Sequence, residues 1–214
     1  NDPDALSVAD GYIEESLAAV AINLHNAASE SGDRSQFSRA ADMYAQYLNK
    51  FPFAKDYYEI QWYFADTLLK SGRVEEASAE YSQLLKGTGH PYRDGSMWNL
   101  MQVRRQALVD RYGRVEQLPP EAVEEKRVSL PSGGERVVYK LSEAHQAFIE
   151  SADMLTDAEF SNEEFSKSLD GSRAALLYLP GQILYYHGYL EQARERLQMV
   201  IERHPTKDEA AFAA

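Results

Sequence analysis

Two distant stretches of the chain share one pattern. "GRVEEASAEYSQLL" (72–85) and "GYLEQARERLQMVI" (188–201) each open on glycine and place an apolar residue two positions on (Val74, Leu190). An alanine follows five positions from the glycine (Ala77, Ala193), and a bulky residue four later (Tyr81, Leu197). An apolar run also precedes each glycine, as in "ADTLLKSG", so the glycine separates two helices. Glycine reaches the left-handed conformation that closes a helix. A lone helical hairpin cannot bury both faces, so the repetition predicts that each pair packs against a neighbouring pair. "SQFSRAADMYAQYLNKFP" (35–52) is a third copy, with Phe37, Ala40 and Tyr44. "LSEAHQAFIESADML" (141–155) is a weaker fourth, with Leu141, Ala144 and Phe148. Pro52 and Pro205 lie twelve residues beyond Ala40 and Ala193, and Pro91 fourteen beyond Ala77. Proline ends such helices because it cannot continue the hydrogen-bond ladder.

These motifs resemble the tetratricopeptide repeat, a unit of about 34 residues of helix, turn and helix. The resemblance implies an all-α fold: a right-handed superhelix of about four antiparallel helix pairs. It also implies that a small residue in each first helix faces the alanine of the second, pairing Ala65 with Ala77 and Gly181 with Ala193. On this reading residues 1–214 form a single solenoid domain. Its repeats span approximately 11–52, 54–91, 93–156 and 172–205, and 206–214 begin a further helix that is cut off. The first helix is the run from Tyr12 towards Ser29. Within the third repeat, 113–140 is an insertion. "RVSLPSGGERVVYKL" alternates on both sides of a Pro-Ser-Gly-Gly turn and predicts a short β-hairpin, with a bare loop as the alternative. Pro180 inside "AALLYLPGQILYYHG" requires that this helix start late or bend. The acidic segment 157–171 has room for one short helix.

Net charge is −12. Phosphate recognition needs Lys and Arg, so nucleic acid and anionic membrane surfaces are poor partners for this balance. No window approaches the roughly 18 apolar residues of a bilayer helix, and mean hydropathy is −0.51. The chain begins at Asn1 rather than Met, so the segment reads as a piece of a longer protein. Cysteine is absent, which removes disulfides, thiolate nucleophiles and Cys-type zinc sites. It also suits an oxidising envelope compartment. "YEIQWYFADTLLKSGRVEEASAEY" and "LYLPGQILYYHGYLEQARERLQMVIERHP" resemble large envelope-associated repeat proteins of gliding and predatory bacteria. "YLNKFP" and "VIERHP" look like helix endings of outer-membrane assembly lipoproteins. The resemblance implies a periplasmic or envelope-associated protein, with the cytoplasm as the alternative.

The residues give catalysis no foothold. The five histidines, 25, 90, 145, 187 and 204, show no metal-binding spacing. His187 and His204 sit where a charged imidazole would interact with a helix C-terminus. Adjacent glutamates such as Glu75-Glu76 and Glu163-Glu164 read as solvated helix surface. "DMLTDAEFSNEE" puts Leu155 at a ligand position and lacks the glycine of a calcium loop. "LPSGGER" has neither the lysine nor the following helix of a phosphate cradle. No cofactor and no metal are expected.

Surface recognition remains. In a helical-pair solenoid the first helices line the concave face, and the family pattern puts Glu59, Trp62, Asp66 and Lys70 there. Tyr178, Gln182, Tyr185 and Tyr186 fall there in the last repeat, and Asn99, Gln102 and Arg105 in the middle one. Aromatic side chains with polar tips suit partner surfaces, although Tyr44, Tyr81 and Phe148 read as core. The expected function is a non-catalytic scaffold that holds a protein or peptide partner in this groove, within a bacterial envelope assembly. The alternative is a structural or self-associating segment with no groove ligand.

Overall fold

A computed structural model of the chain describes residues 3–130, 133–160 and 162–214. Among them are ten helices and one two-stranded antiparallel sheet. The helices are α1 (Pro3–Ser31), α2 (Arg34–Lys50), α3 (Tyr57–Ser71), α4 (Val74–Leu84) and α5 (Arg93–Tyr112). Then come strands β1 (Glu124–Ser129) and β2 (Glu135–Tyr139), followed by α6 (Glu143–Asp157) and α7 (Glu163–Ser168). The chain ends with α8 (Arg173–His187), α9 (Leu190–Arg203) and α10 (Asp208–Ala213). It groups into two compact units, Asn1–Val103 and Arg104–Ala214, divided within α5.

Glycine sets the rhythm. The first helices α1, α3, α5 and α8 are each followed by a glycine with positive φ, at Gly32, Gly72, Gly113 and Gly188. Gly72 and Arg73 return their N–H groups to Leu69 and Leu68 at 3.0 and 2.9 Å. Gly188 and Tyr189 do the same to Tyr185 and Leu184 at 3.1 and 2.9 Å. Two otherwise orphaned carbonyls are thus satisfied at each of these helix ends. Gly72 and Gly188 thus separate the two helices of the pairs α3–α4 and α8–α9.

In the first unit, α1 packs on α2, α2 on α3, and α3 on α4. Their core holds Ala40, Tyr44, Ala65, Leu68, Ala77, Tyr81 and Leu84, all essentially without solvent exposure. Asp33 caps α2 by accepting from the Ser35 N–H at 2.8 Å. The helix expected from Tyr12 starts nine residues earlier, at Pro3. Proline is well tolerated at the first helical position, and Gly11 has open space around it. Close approach explains the buried alanines: Ala77→Leu adds three carbons to a filled core. It is expected to cost about 1–3 kcal/mol in urea unfolding, as overpacking does.

In the second unit, α8 pairs with α9, α6 packs on α8, and α10 closes on both α8 and α9. A Cβ built on Gly181 would stand 3.0 Å from Leu197 Cδ2 and 3.5 Å from Arg196 Cβ, so α8 and α9 approach closely there. α8 runs unbroken through Pro180, and its start at Arg173 excludes the late-start alternative. Proline lacks the N–H that the Leu176 carbonyl would accept. The insertion is a hairpin with Val128 opposite Arg136 and Arg127 opposite Val137. Its turn carries Gly133 and Gly134 at φ 83° and 93°; Pro131 and Ser132 lie outside the described residues. The short helix in the acidic segment is α7, capped by Asn162 on the Phe165 N–H at 3.0 Å.

Candidate functional site

Within the first unit, helical spacing puts Glu59, Trp62, Asp66 and Lys70 along one stripe of α3. The structure shows how committed each already is. The Trp62 ring packs edge-on to Tyr81 at 5.7 Å and tilts against Tyr92 at 6.0 Å. A Cβ on Gly95 would fall 2.8 Å from its Cη2, so this glycine makes room for the indole. Trp62 is therefore a half-buried packing element. Asn99 donates to the Tyr81 hydroxyl at 3.1 Å, which also ties it to the core. Gln102 is half-buried beside it along α5, and Arg105, on the second-unit part of that helix, is exposed.

Asp66 anchors a polar seam. It pairs with Lys70 at 2.8 Å and faces His25 Nε2 of α1 at 3.5 Å. His25 Nδ1 lies 3.3 Å from the Tyr44 hydroxyl and 3.4 Å from Thr67 Oγ1. The sequence of acid, imidazole and hydroxyl superficially suggests a catalytic relay. Yet Thr67 is fully buried and its hydroxyl donates to the Tyr63 carbonyl at 2.5 Å. Burial lowers the His25 pKa, Asp66 opposes that shift and Lys70 adds to it. The seam is a hydrogen-bonded joint between helices, buried at Tyr44 and Thr67 and open to solvent at Lys70.

The second unit presents a different face. Gln182 donates to the Tyr178 hydroxyl at 2.8 Å, and Tyr178 tilts against Phe212 of α10 at 6.4 Å. Tyr185 and Tyr186 are each 50% exposed and meet edge to face at 5.6 Å. The hairpin reaches this point. Arg136 stands 5.7 Å over the Tyr185 ring and donates to the Tyr185 carbonyl at 3.1 Å. Arg136 and Val138 share one face of β2, as alternate strand residues must, and Val138 is buried. Tyr189 also donates to Glu125 of β1, which pushes the Tyr189 pKa up to about 12, burial being the larger cause. Sequence reasoning found the tyrosines and missed Arg136, because only the docked hairpin brings it there.

His145 and His187 form a further cluster that spacing did not reveal. Both are fully buried, with ring centroids 4.8 Å apart, and Tyr112 stacks on His145 at 5.3 Å. His187 Nδ1 lies 2.8 Å from the Ile183 carbonyl, which can only accept, so the proton sits on Nδ1. Nε2 is then a bare acceptor with no partner among the described residues. Burial lowers the pKa of both rings. The expected charged imidazole at the end of α8 is thus corrected: His187 is neutral and belongs to the core. Among the described residues, no three His, Asp or Glu side chains converge to hold a metal ion. No helix among them is long and apolar enough to cross a membrane.

No family model and no curated protein matches the chain. Among solved structures, it is similar to the MamA RS-1 ArsTM double mutant, with 12% identity and a TM-score of 0.46. That match covers 89% of this chain and 77% of the other. It is also similar to the Podosopora anserina putative kinesin light chain nearly identical TPR-like repeats, with 14% identity and a TM-score of 0.44, covering 89% and 80%. Likenesses at this level carry no argument on function. What the chain can do is read from its own side chains.

Proposed function

We propose that the chain is a non-catalytic scaffold that holds a protein partner on the first-helix faces of its helix pairs. The observation that carries this is the Tyr185–Tyr186 pair, half exposed yet held in place by Arg136 from the hairpin. An exposed aromatic pair on a rigid support offers contact area at little ordering cost, which is how interface anchors act. The test is affinity capture from a native extract with wild type and a Tyr185→Ala/Tyr186→Ala variant. The variant is expected to lose the captured partner, at about tenfold or more in affinity, with stability within about 0.5 kcal/mol of wild type. Capture of the same proteins at the same strength would end the proposal. An envelope location is part of the proposal, supported by the missing cysteines and the motif resemblance. Fractionation of cells carrying the full-length protein tests it.

One observation favours self-association as a second reading. Tyr47 at the end of α2 reaches Glu14 at 3.0 Å, so α1 extends beyond its partner helix towards its N-terminus. The N-terminal half of α1 exposes Val8, Tyr12 and Ile13, with Tyr12 68% exposed. Sedimentation velocity over a concentration series would show association that Tyr12→Ser with Ile13→Ser abolishes.

A further inference from the structure

A cleft of about 540 Å³ runs along α9, with Tyr185 of α8 in its wall. Its apolar lining is Leu190, Ala193, Leu197 and Ile201, and Arg194 stands in the middle of that row. Leu190, Arg194, Leu197 and Ile201 follow one another at steps of four, three and four, which keeps them on one face of the helix. Arg194 is exposed and has no ion-pair or hydrogen-bond partner among the described residues. The opposite face of α9 is taken up, because Arg196 reaches Asp153 of α6 in a two-pronged ion pair at 2.5 and 2.7 Å. α10 seats Ala210 with Val200 of α9 and Leu177 of α8, so a helix laid on α8 and α9 is a packing the chain already uses.

We propose that this cleft takes α1 of a second copy of the chain. α1 carries a matching row on its exposed face: Val8, Tyr12, Glu15 and Ala19, again at steps of four, three and four. Each row spans eleven residue steps, about 16 Å at 1.5 Å per residue. Each holds three apolar residues and one charge, and the charges are opposite. Laid antiparallel, the rows put Glu15 against Arg194, with Val8 on Ile201, Tyr12 on Leu197 and Ala19 on Leu190. Laid parallel, they put Glu15 against Leu197 and Arg194 against Tyr12, each charge without its counterpart, so charge selects the antiparallel seat. α1 contains no Lys or Arg, so it brings no repulsion to Arg194, and Glu15 likewise has no partner among the described residues. The proposal rests on the self-association reading and adds to it the seat, the direction and the ion pair.

Sedimentation velocity over a concentration series tests it with charge reversals. Arg194→Glu and Glu15→Arg are each expected to weaken association at least about tenfold, because like charges then face each other. An equimolar mixture of the two variants is expected to recover it as a one-to-one complex, since the reversed α1 of one meets the reversed groove of the other. Lys55→Glu, the same change of charge on an exposed residue outside both rows, should leave association within about twofold. A mixture no more associated than its components overturns the proposal, as does a single reversal that associates like wild type. If circular dichroism shows a reversal to be misfolded, Ile201→Ser replaces it in the groove and Tyr12→Ser in α1, and unchanged association in either overturns the proposal. Association that Tyr12→Ser with Ile13→Ser abolishes but Arg194→Glu spares would overturn this seat and leave self-association standing. Wild type that stays monomeric ends both. If Arg194→Glu then also loses a protein that wild type captures, the groove belongs to that partner.

Discussion

Gly188→Ala is expected to destabilise the protein by more than twice as much as Gly72→Ala, although both glycines end a first helix in the same left-handed conformation. At Gly72, φ is 88° and the nearest atom to an added methyl is Arg34 Nη1 at 3.8 Å. Alanine there bears only the conformational penalty, about 1 kcal/mol. At Gly188, φ is 96°, and the methyl would stand 2.7 Å from the Val137 carbonyl oxygen and 2.9 Å from Val138 Cα. Those are backbone atoms of β2, so no side-chain rotation relieves the contact. Either the α8–α9 turn opens or the hairpin lifts, and lifting it loosens Arg136 from Tyr185 and exposes Val138. Adding that loss to the conformational penalty gives at least about 2–3 kcal/mol. Urea unfolding of the two variants measures the difference. Limited trypsin digestion locates it, because Lys126, Arg127 and Arg136 should be cut faster only in Gly188→Ala. Equal, mild effects at the two glycines would mean that the hairpin does not bear on the turn.

This pair of glycines marks how far the sequence could be read. The helix-ending role of both was legible, because it depends on local backbone geometry and recurs with the repeat. The β-hairpin was legible for the same reason, in the alternation around its glycines. What the hairpin packs against was not, since nothing in "ERVVYK" names α8 as its neighbour. The site followed the same division. The stripe of Glu59, Trp62, Asp66 and Lys70 follows from helical spacing, whereas the commitment of Trp62 to Gly95 and Tyr92 needs the packed helices. The partnership of Asp66 with His25 joins residues 41 positions apart in the chain. Histidine is the residue whose role local pattern conveys least, because burial decides whether it carries charge. His187 beside a turn glycine looks the same in sequence whether it is a charged cap or a neutral core ring.

That neutrality has a measurable consequence, a loss of stability in mild acid that comes from the second unit. The His145 pKa is lowered to about 4, first by burial and then by the neighbouring His187, with the Val115 and Gln117 carbonyls opposing. His187 is lowered by burial, with its Ile183 hydrogen bond opposing. Tyr112 of α5 stacks on the His145 ring. The unfolded chain binds protons on these histidines near pH 6.5, and the folded chain does not until pH falls further. Stability is therefore complete above about pH 6.5 and declines as pH falls from there towards 4. For His145 alone the loss over that interval is about 3 kcal/mol, because each pH unit between the unfolded and folded pKa values is worth about 1.4 kcal/mol. His25 contributes with the same sign from the first unit, so wild type alone cannot isolate the effect. His145→Phe can: it keeps a ring against Tyr112, leaves Ser142 as the cap of α6, and removes the titrating group. Carboxylates held low by partners, such as Glu76 beside Arg73, lose their contribution only nearer their own lower range. The separation is cleanest between pH 6.5 and 5. Unfolding free energies across that window should fall more steeply for wild type than for His145→Phe. Parallel slopes would mean that the ring takes up its proton inside the fold without opening it, and that the buried imidazole pair does not govern acid stability.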